Sequence, residues 1–169
     1  MSYVRNFISD YCIIDLETTG LTASSCQIIE IGALKIRNGQ IVEQYNQLIK
    51  PTCYIPDIVT QLTGITNQDV QNQPTIEEGI PDFLQFIQND LLIGHNIRFD
   101  LSFLKQHVQL LNDYSDTLHL AQKYLPGQPS YKLSALQKSL HLSKNTHRSL
   151  DDCQTTYELY EYIKSQQRK

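Results

Sequence analysis

Long apolar runs are missing from this chain of 169 residues. No segment approaches the ~18 consecutive apolar residues that a membrane-spanning helix needs, so the sequence predicts no membrane partner. The first residues also lack the charged start, apolar stretch and small-residue cleavage site of a signal peptide. We therefore expect a cytoplasmic protein.

Closely spaced cysteines are missing as well. The four cysteines lie far apart, and none forms the C-x-x-C spacing of a zinc or redox motif: Cys12, Cys26, Cys53 and Cys153. This distribution, in a chain without a signal peptide, is typical of reduced and packed thiols rather than of a disulfide framework or a zinc site.

A surplus of positive charge is the third absence. The chain has 14 Lys and Arg against 18 Asp and Glu, which gives a net charge of −4. This balance argues against a broad basic surface that grips a duplex along its length. The composition, 40% hydrophobic and 19% charged, indicates a globular protein. The length favours one domain over residues 1–169, with a core of about residues 11–166.

What the sequence does contain is a predicted strand, Tyr11–Thr18, that carries two acids near its end. Because side chains alternate across a strand, Asp15 and Glu17 share a face with Ile13. Cys12, Ile14 and Leu16, which alternate with them, lie on the other face. Two carboxylates side by side on one face repel each other unless a cation lies between them.

Two further strands are predicted over residues 27–36 and 40–50. Asn38-Gly39 between them indicates a hairpin, because a type I′ turn needs positive φ at both central residues. The first three strands should therefore form an antiparallel meander. A short apolar run at residues 91–93 indicates another strand, covered on both faces.

Helical spacing of apolar residues predicts five helices after the meander. They cover residues 55–62, 75–89, about 97–111, 133–142 and 149–166. Thr75 and Asn96 are predicted N-caps, and Ser149 with Asp152 fits a capping box. This order of elements favours a mixed α/β sheet covered by helices.

The acids lie where such a sheet places its sites. Sites form beyond the carboxyl ends of parallel strands. Asp15 and Glu17 lie at the end of the first strand, and Asp100 follows the short apolar strand. If these two strands pair in parallel, the three carboxylates converge.

Each acid alone also has a simpler interpretation. Asp15 and Glu17 could be a solvated strand edge, and Asp100 a first-turn acid favoured by the helix dipole. Asp152 could be only a capping residue. His147, just before the last helix, could lie over a site built by Asp152.

Three segments together carry a resemblance that none carries alone. They are Asp15-Leu16-Glu17-Thr18, Asn96-Ile97-Arg98-Phe99-Asp100 and His147-Arg148-Ser149-Leu150-Asp151-Asp152. In this order they resemble the DEDD family of 3′–5′ exonucleases, in its histidine-containing subclass. The resemblance is strongest to the proofreading epsilon subunit of bacterial DNA polymerase III and to the exonuclease domain of Gram-positive replicative polymerases. It implies a ribonuclease H-like fold.

The resemblance also implies a role for each matching residue. Two divalent cations, Mg²⁺ or Mn²⁺, would be held by Asp15, Glu17, Asp100 and Asp152. The proton of the attacking water would go to His147. Contacts to the 3′-terminal nucleotide are expected from Thr18, Thr19, Gly20, Leu21, His95 and Asn96. Leu62 would be either a wedge against the last base or a plain core residue at a helix end.

The implied activity is metal-dependent hydrolysis of single-stranded or frayed DNA from its 3′ end. It would release nucleoside 5′-monophosphates, in proofreading or in repair. Four metal-binding carboxylates equal the net charge of −4, so a metal-loaded site can be neutral or positive towards phosphate.

Alternatives remain open. An exoribonuclease of the oligoribonuclease type is the alternative within the class, although DNA is favoured over RNA as the partner. A non-catalytic subunit that binds nucleic acid or a polymerase is the alternative outside it, and a DNA polymerase is a further candidate partner in either case. Glu30 lies in an apolar run, and the sequence provides no reason for it.

Overall fold

A five-stranded mixed sheet forms the centre of the computed structural model, which describes residues 1–143 and 146–167. The strands, in the spatial order β3-β2-β1-β4-β5, are β1 (Tyr11–Thr18), β2 (Ile28–Arg37), β3 (Gln40–Leu48), β4 (Leu92–Gly94) and β5 (Tyr114–Asp116). The helices are α1 (Asp57–Thr63), α2 (Asn67–Val70), α3 (Ile76–Ile87), α4 (Arg98–Leu104), α5 (Thr117–Tyr124), α6 (Leu133–Leu140) and α7 (Ser149–Gln166). Within the described residues, no helix combines the length and the apolar character needed to cross a membrane.

The first three strands form the predicted antiparallel meander. The turn between β2 and β3 has a φ of 53° at Asn38 and 74° at Gly39, the positive values that the predicted hairpin requires. β1 also pairs in parallel with β4, with Cys12 beside Leu92. The acids that end β1 and the acid that follows β4 therefore lie at the same edge of the sheet.

The two faces of β1 pack into two different cores, as the alternation of its side chains predicts. On one face, Cys12, Ile14 and Leu16 join a cluster with side chains of α3 and α4. On the other, Tyr11 and Ile13 join a cluster with side chains of α5, α6 and α7. The acids near the end of β1 continue this second face, so they emerge on the side of α7.

Local signals place several helix ends where the sequence predicts them. Thr75 caps α3 in a capping box with Glu78, and both reciprocal hydrogen bonds are present. Gly64 ends α1 with a φ of 74°, and its N–H donates to the carbonyl of Thr60 at 2.8 Å. α1 begins at Asp57, slightly later than predicted.

Three local predictions are wrong. Asn96 has a φ of 63° and does not cap α4, whose N-cap is Ile97 without a side-chain hydrogen bond. Ser149 is the first residue of α7, and the N-cap Arg148 has no side-chain cap, so the predicted capping box does not form. α4 is shorter than predicted, which leaves Leu111 74% exposed. In the first two cases tertiary hydrogen bonds, described below, replace the local ones.

Three elements were missed by the sequence patterns. β5 and α2 span three and four residues, which is too short for a period to be recognised. α5 begins after Asp116, whose side chain accepts from the N–H of Leu118 at 2.9 Å. β5 pairs in parallel with β4 and extends the sheet beyond it.

Gly32 lets α7 approach the sheet. A Cβ at this position would lie 2.6 Å from Ser149 Oγ and 2.7 Å from the backbone carbonyl carbon of the same residue. Gly32 is also the cross-strand partner of Asp15. The first turn of α7 therefore lies directly beside this acid, and Asp152 follows within that turn.

Gly32→Ala should lower the free energy of unfolding by about 1–3 kcal/mol, the usual cost of forcing a methyl group into a packed site. Thermal or urea denaturation would measure it. Gln44→Ala, at an exposed position of β3, is the control and should change stability by less than about 0.5 kcal/mol. Equal stability of the two variants would contradict the close approach of α7.

Candidate active site

Three carboxylates from two distant segments meet at the carboxyl end of β1. Asp15 and Glu17 come from β1, and Asp152 comes from the first turn of α7. One oxygen of each lies within 4.8 Å of the others, a spacing at which they could hold a metal ion. The structure thus brings together three of the four acids that the sequence singled out as metal ligands.

Asp100 lies beside this group rather than within it. Its side chain is buried, and its Oδ1 accepts a hydrogen bond from the N–H of Leu16 in β1 at 3.0 Å. Gly94 allows this approach, since a Cβ there would lie 3.0 Å from Ile97 and 3.2 Å from the carbonyl oxygen of Ile14. The start of α4 is therefore pressed against the end of β1.

The four acids act on one another electrostatically. Burial raises the pKa of Asp15 well above its ordinary value, and the charges of Asp100, Asp152 and Glu17 raise it further. Burial, followed by the charge of Asp152, raises the pKa of Glu17 to about 8. Burial likewise raises the pKa of Asp100 to about 8. Without cations the cluster therefore holds protons at neutral pH.

The donor set fits divalent cations with a preference for oxygen. Carboxylates are the ligands that Mg²⁺ and Mn²⁺ favour. Mutual repulsion among crowded acids is relieved when a cation lies between them, and Asp15 is the acid on which all the others act. These residues could therefore hold a divalent metal ion.

His147 lies two residues before the N-terminus of α7, the helix that carries Asp152. It is half-buried, and its φ of 57° is in the left-handed region. Left-handed backbone is unfavourable for a residue with a side chain, so the surrounding structure must hold it. The role of His147 as a base stays a prediction.

The residues after β1 form a tight turn. Thr18 donates from Oγ1 to the carbonyl of Gly20 at 2.7 Å. Thr19 is buried, and both its N–H and its Oγ1 bond to the backbone of Gln27, at 2.8 and 2.9 Å. Leu21 is 86% exposed at the tip of this turn. The turn thus presents one apolar side chain to solvent beside the acids.

Leu62 lies on α1 and is 55% exposed, so its interpretation as a core residue at a helix end is wrong. Its predicted contact with a terminal base stays a prediction. An exposed leucine alone is common on protein surfaces.

His95 and Asn96 are held by residues of β5, of α5 and of the segment before α6 rather than by α4. The ring of His95 bonds through Nδ1 to Thr117 Oγ1 at 3.0 Å and through Nε2 to the carbonyl of Tyr131 at 2.8 Å. Burial lowers the pKa of His95. The N–H of Asn96 donates to Asp116 Oδ1 at 2.9 Å. The φ of 63° at Asn96 is outside the extended range of an N-cap residue, which explains the failed prediction of an N-cap.

Two residues important to the site were missed by sequence reasoning. Glu30, which is fully buried, and Arg148, whose side chain is 43% exposed, form an ion pair at the start of α7, with 2.5 Å between Glu30 Oε1 and Arg148 Nη2. The apolar run around Glu30 was the available signal, because a buried acid needs a cation or several donors. The sequence did not indicate which cation.

Comparison with known proteins agrees with this geometry. The family model described as "Exonuclease" matches residues 12–160. The chain belongs to this exonuclease family. A DNA polymerase III PolC-type protein of Clostridium perfringens is 37% identical over 164 residues, which are 94% of this chain and 11% of that protein. The DNA polymerase III subunit epsilon of Aquifex aeolicus is 33% identical over 157 residues, or 89% of this chain and 78% of that subunit.

The fold is also that of a solved exonuclease. Exonuclease X in complex with 5′ overhanging duplex DNA superposes with a TM-score of 0.79 at 28% identity, covering 92% of this chain and 91% of the other. The ribonuclease H-like mixed sheet and the family resemblance read from the sequence are both confirmed. The chain spans about a tenth of the length of the PolC-type relatives that it matches.

The acidic cluster predicts that divalent cations stabilise the protein most at high pH. With its pKa at about 8, Glu17 stays protonated in the folded state, whereas an unfolded Glu ionises near ~4.3. The folded protein then binds more protons than the unfolded one between these pH values. The stability of the metal-free protein should therefore fall as the pH rises through this window.

The test is the melting temperature in EDTA, Mg²⁺ and Mn²⁺ from pH 5 to pH 8.5. The rise caused by metal should grow with pH. Asp15→Asn is the comparison variant: it should melt higher than the wild type in EDTA and lose most of the metal effect. A metal effect of equal size at every pH and in both proteins would contradict a site built on these carboxylates.

Proposed function

We propose that this chain is a metal-dependent 3′–5′ exonuclease that releases nucleoside 5′-monophosphates from single-stranded or frayed DNA, in proofreading or repair. The observation that carries the proposal is the meeting of Asp15, Glu17 and Asp152 within 4.8 Å, at the sheet edge that also holds Asp100. Membership of the exonuclease family supports it. We take residues 1–169 as one exonuclease domain.

The four acids would bind and orient two cations. Asp15, Glu17 and Asp152 would hold one cation, and Asp100 together with Asp15 would hold the other. When bound, Mg²⁺ or Mn²⁺ supplies the positive charge that offsets the phosphate and makes water a stronger nucleophile. The burial of Asp100 and Asp152 excludes bulk water from these ligands and fixes their orientation.

His147 would accept the proton of the attacking water. An imidazole ring nitrogen can accept a proton from water and so act as a general base. Its position at the start of α7, close in sequence to Asp152, supports this role. The rigid turn after β1 and the exposed side chains of Leu21 and Leu62 would contact the terminal nucleotide, since apolar contact with a base is tolerant of sequence.

DNA is the favoured substrate because the similar proteins carry names of DNA enzymes, including an Exonuclease X bound to 5′ overhanging duplex DNA. An exoribonuclease is the alternative within the class. A DNA polymerase is proposed as a further partner on the strength of the PolC-type and epsilon relatives. We also propose action in the cytoplasm, which the four free cysteines favour.

The decisive assay follows degradation of labelled single-stranded DNA, duplex DNA with a mismatched 3′ end, RNA and dinucleotides. Each substrate should be labelled separately at the 5′ and 3′ ends, with Mg²⁺, Mn²⁺ or EDTA. Stepwise shortening of 5′-labelled DNA with release of mononucleotides is expected, and EDTA should abolish it. Faster cleavage of RNA or dinucleotides would overturn the choice of DNA, and Asp15→Ala identifies any contaminating nuclease.

His147→Ala should lower the turnover rate by about 10²–10⁴-fold, because the proton of the attacking water loses its acceptor. The rise in melting temperature with metal should survive, since the carboxylates remain. His107→Ala is the matched control, as this histidine is exposed on the segment after α4, and its activity should be unchanged. A fully active His147→Ala enzyme would remove this residue from the mechanism.

A further inference from the structure

Glu30 carries a buried charge that the proposed mechanism does not use. Its side chain is fully buried in β2. Arg148 donates to it from Nη2 at 2.5 Å and from Nε at 3.1 Å to both oxygens. The N–H of Ser149 donates at 2.9 Å, and Asn46 Nδ2 donates at 3.2 Å. Because a buried charge is costly unless it is paired and hydrogen-bonded, this carboxylate depends on that set of donors.

The carboxylate is charged in this setting. Burial raises the pKa of Glu30, but the hydrogen bonds from Arg148 and from the N–H of Ser149 outweigh it, and the pKa is lowered. The ion pair joins β2, an interior strand of the sheet, to the N-cap of α7. Its two residues are 118 positions apart in the chain. It is therefore a tertiary anchor rather than a local contact.

The anchored residues are those that join His147 to α7. Arg148 is the N-cap of α7 and Ser149 is its first residue. The carbonyl of Arg148 accepts the N–H of Asp152 at 3.0 Å. His147 precedes them with a φ of 57°. Since this conformation is disfavoured for a residue with a side chain, it persists only where neighbouring contacts hold the backbone.

The ion pair of Glu30 should affect the position of His147 more than that of Asp152. Asp152 lies inside α7, and that helix is held to the sheet by the fully buried side chains of Cys153, Tyr160 and Ile163. His147 lies outside the helix. The ion pair on the next residue is thus a contact through which the sheet can fix the backbone of His147.

We propose that Glu30 is a positioning residue: by fixing Arg148, it sets the backbone conformation that presents His147 to the attacking water. The proposal rests on the exonuclease function proposed above. It also gives a reason for an acid in the apolar run of β2. A misplacement of about 1 Å at a catalytic group can cost about 10²-fold in rate, so a positioning contact of this kind has a measurable effect.

The first test compares kcat and KM for a single-stranded DNA oligonucleotide. Glu30→Gln keeps the size and the acceptor for Ser149 but removes the charge that holds Arg148. Its kcat should fall by about 10- to 100-fold with KM nearly unchanged. In a His147→Ala background the same change should cause no further loss. Glu30→Gln combined with Arg148→Gln should be no worse than Glu30→Gln alone.

Glu161→Gln is the matched control. Glu161 is a partly buried acid towards the other end of α7, where it accepts hydrogen bonds from Tyr11 at 2.8 Å and Lys164 at 2.9 Å. Its replacement removes an ion pair of α7 without touching the segment of His147. It should lower the melting temperature and leave kcat unchanged.

The second test does not depend on activity. The ring signals of the five histidines can be followed by NMR, with those of His147 identified by their loss in His147→Ala. In Glu30→Gln the signals of His147 should shift or broaden, and those of the other four should stay in place. In Glu161→Gln all five should be unchanged. Arg148→Gln, at a side chain that is 43% exposed, provides the same measurement if Glu30→Gln does not fold.

The outcomes separate the two proposals. Normal kcat for Glu30→Gln in an active enzyme, or an equal loss with and without His147, overturns the positioning role and leaves the exonuclease function intact. Unchanged His147 signals overturn it as well. A wild-type protein that degrades no oligonucleotide, but whose His147 signals still respond to Glu30→Gln, overturns the function and keeps the anchor.

Discussion

Repulsion among carboxylates crowded at one edge of a sheet is the constraint on which this structure depends. Asp15 experiences the charges of Asp100, Asp152 and Glu17 while its own burial already disfavours ionisation. Folding brings these acids together because both faces of β1 are buried in apolar cores, and that burial outweighs the repulsion. Without cations, the crowded acids therefore lower the free energy of unfolding of the protein. Such perturbed groups are typical of functional sites.

Asp100 and Asp152 reach the end of β1 because two helices pack closely against the sheet and one ion pair fixes the start of α7. Gly94 admits the start of α4, and Gly32 admits the start of α7. The pair of Glu30 and Arg148 then ties the entry of α7 to the middle strand of the meander. The arrangement separates two tasks: apolar packing holds the helices, while glycines and a buried charge determine how near their first turns come to the acids.

Much of this could be predicted from residue patterns with a local cause. The alternation along β1, the Asn38-Gly39 turn and the cap at Thr75 depend on neighbours in the chain, and the structure agrees with them. Features that depend on distant partners were not predictable from one sequence. Asn96 has left-handed backbone, its N–H bonds to Asp116, and it does not cap α4. The burial of Glu30 is explained only by its distant partner Arg148. The acids were found because three segments carry them in the order typical of one family, whereas each acid alone had a simpler interpretation.

The contribution of α7 has a consequence for the order in which the site becomes complete. Asp15, Glu17 and Asp100 precede residue 101, while Asp152 and the anchor at Arg148 belong to α7 and its N-cap, about 50 residues later in the chain. Contacts of such long sequence separation form late, because loop closure must come first. During synthesis, a growing polypeptide therefore lacks a full ligand set until this helix has left the ribosome and docked.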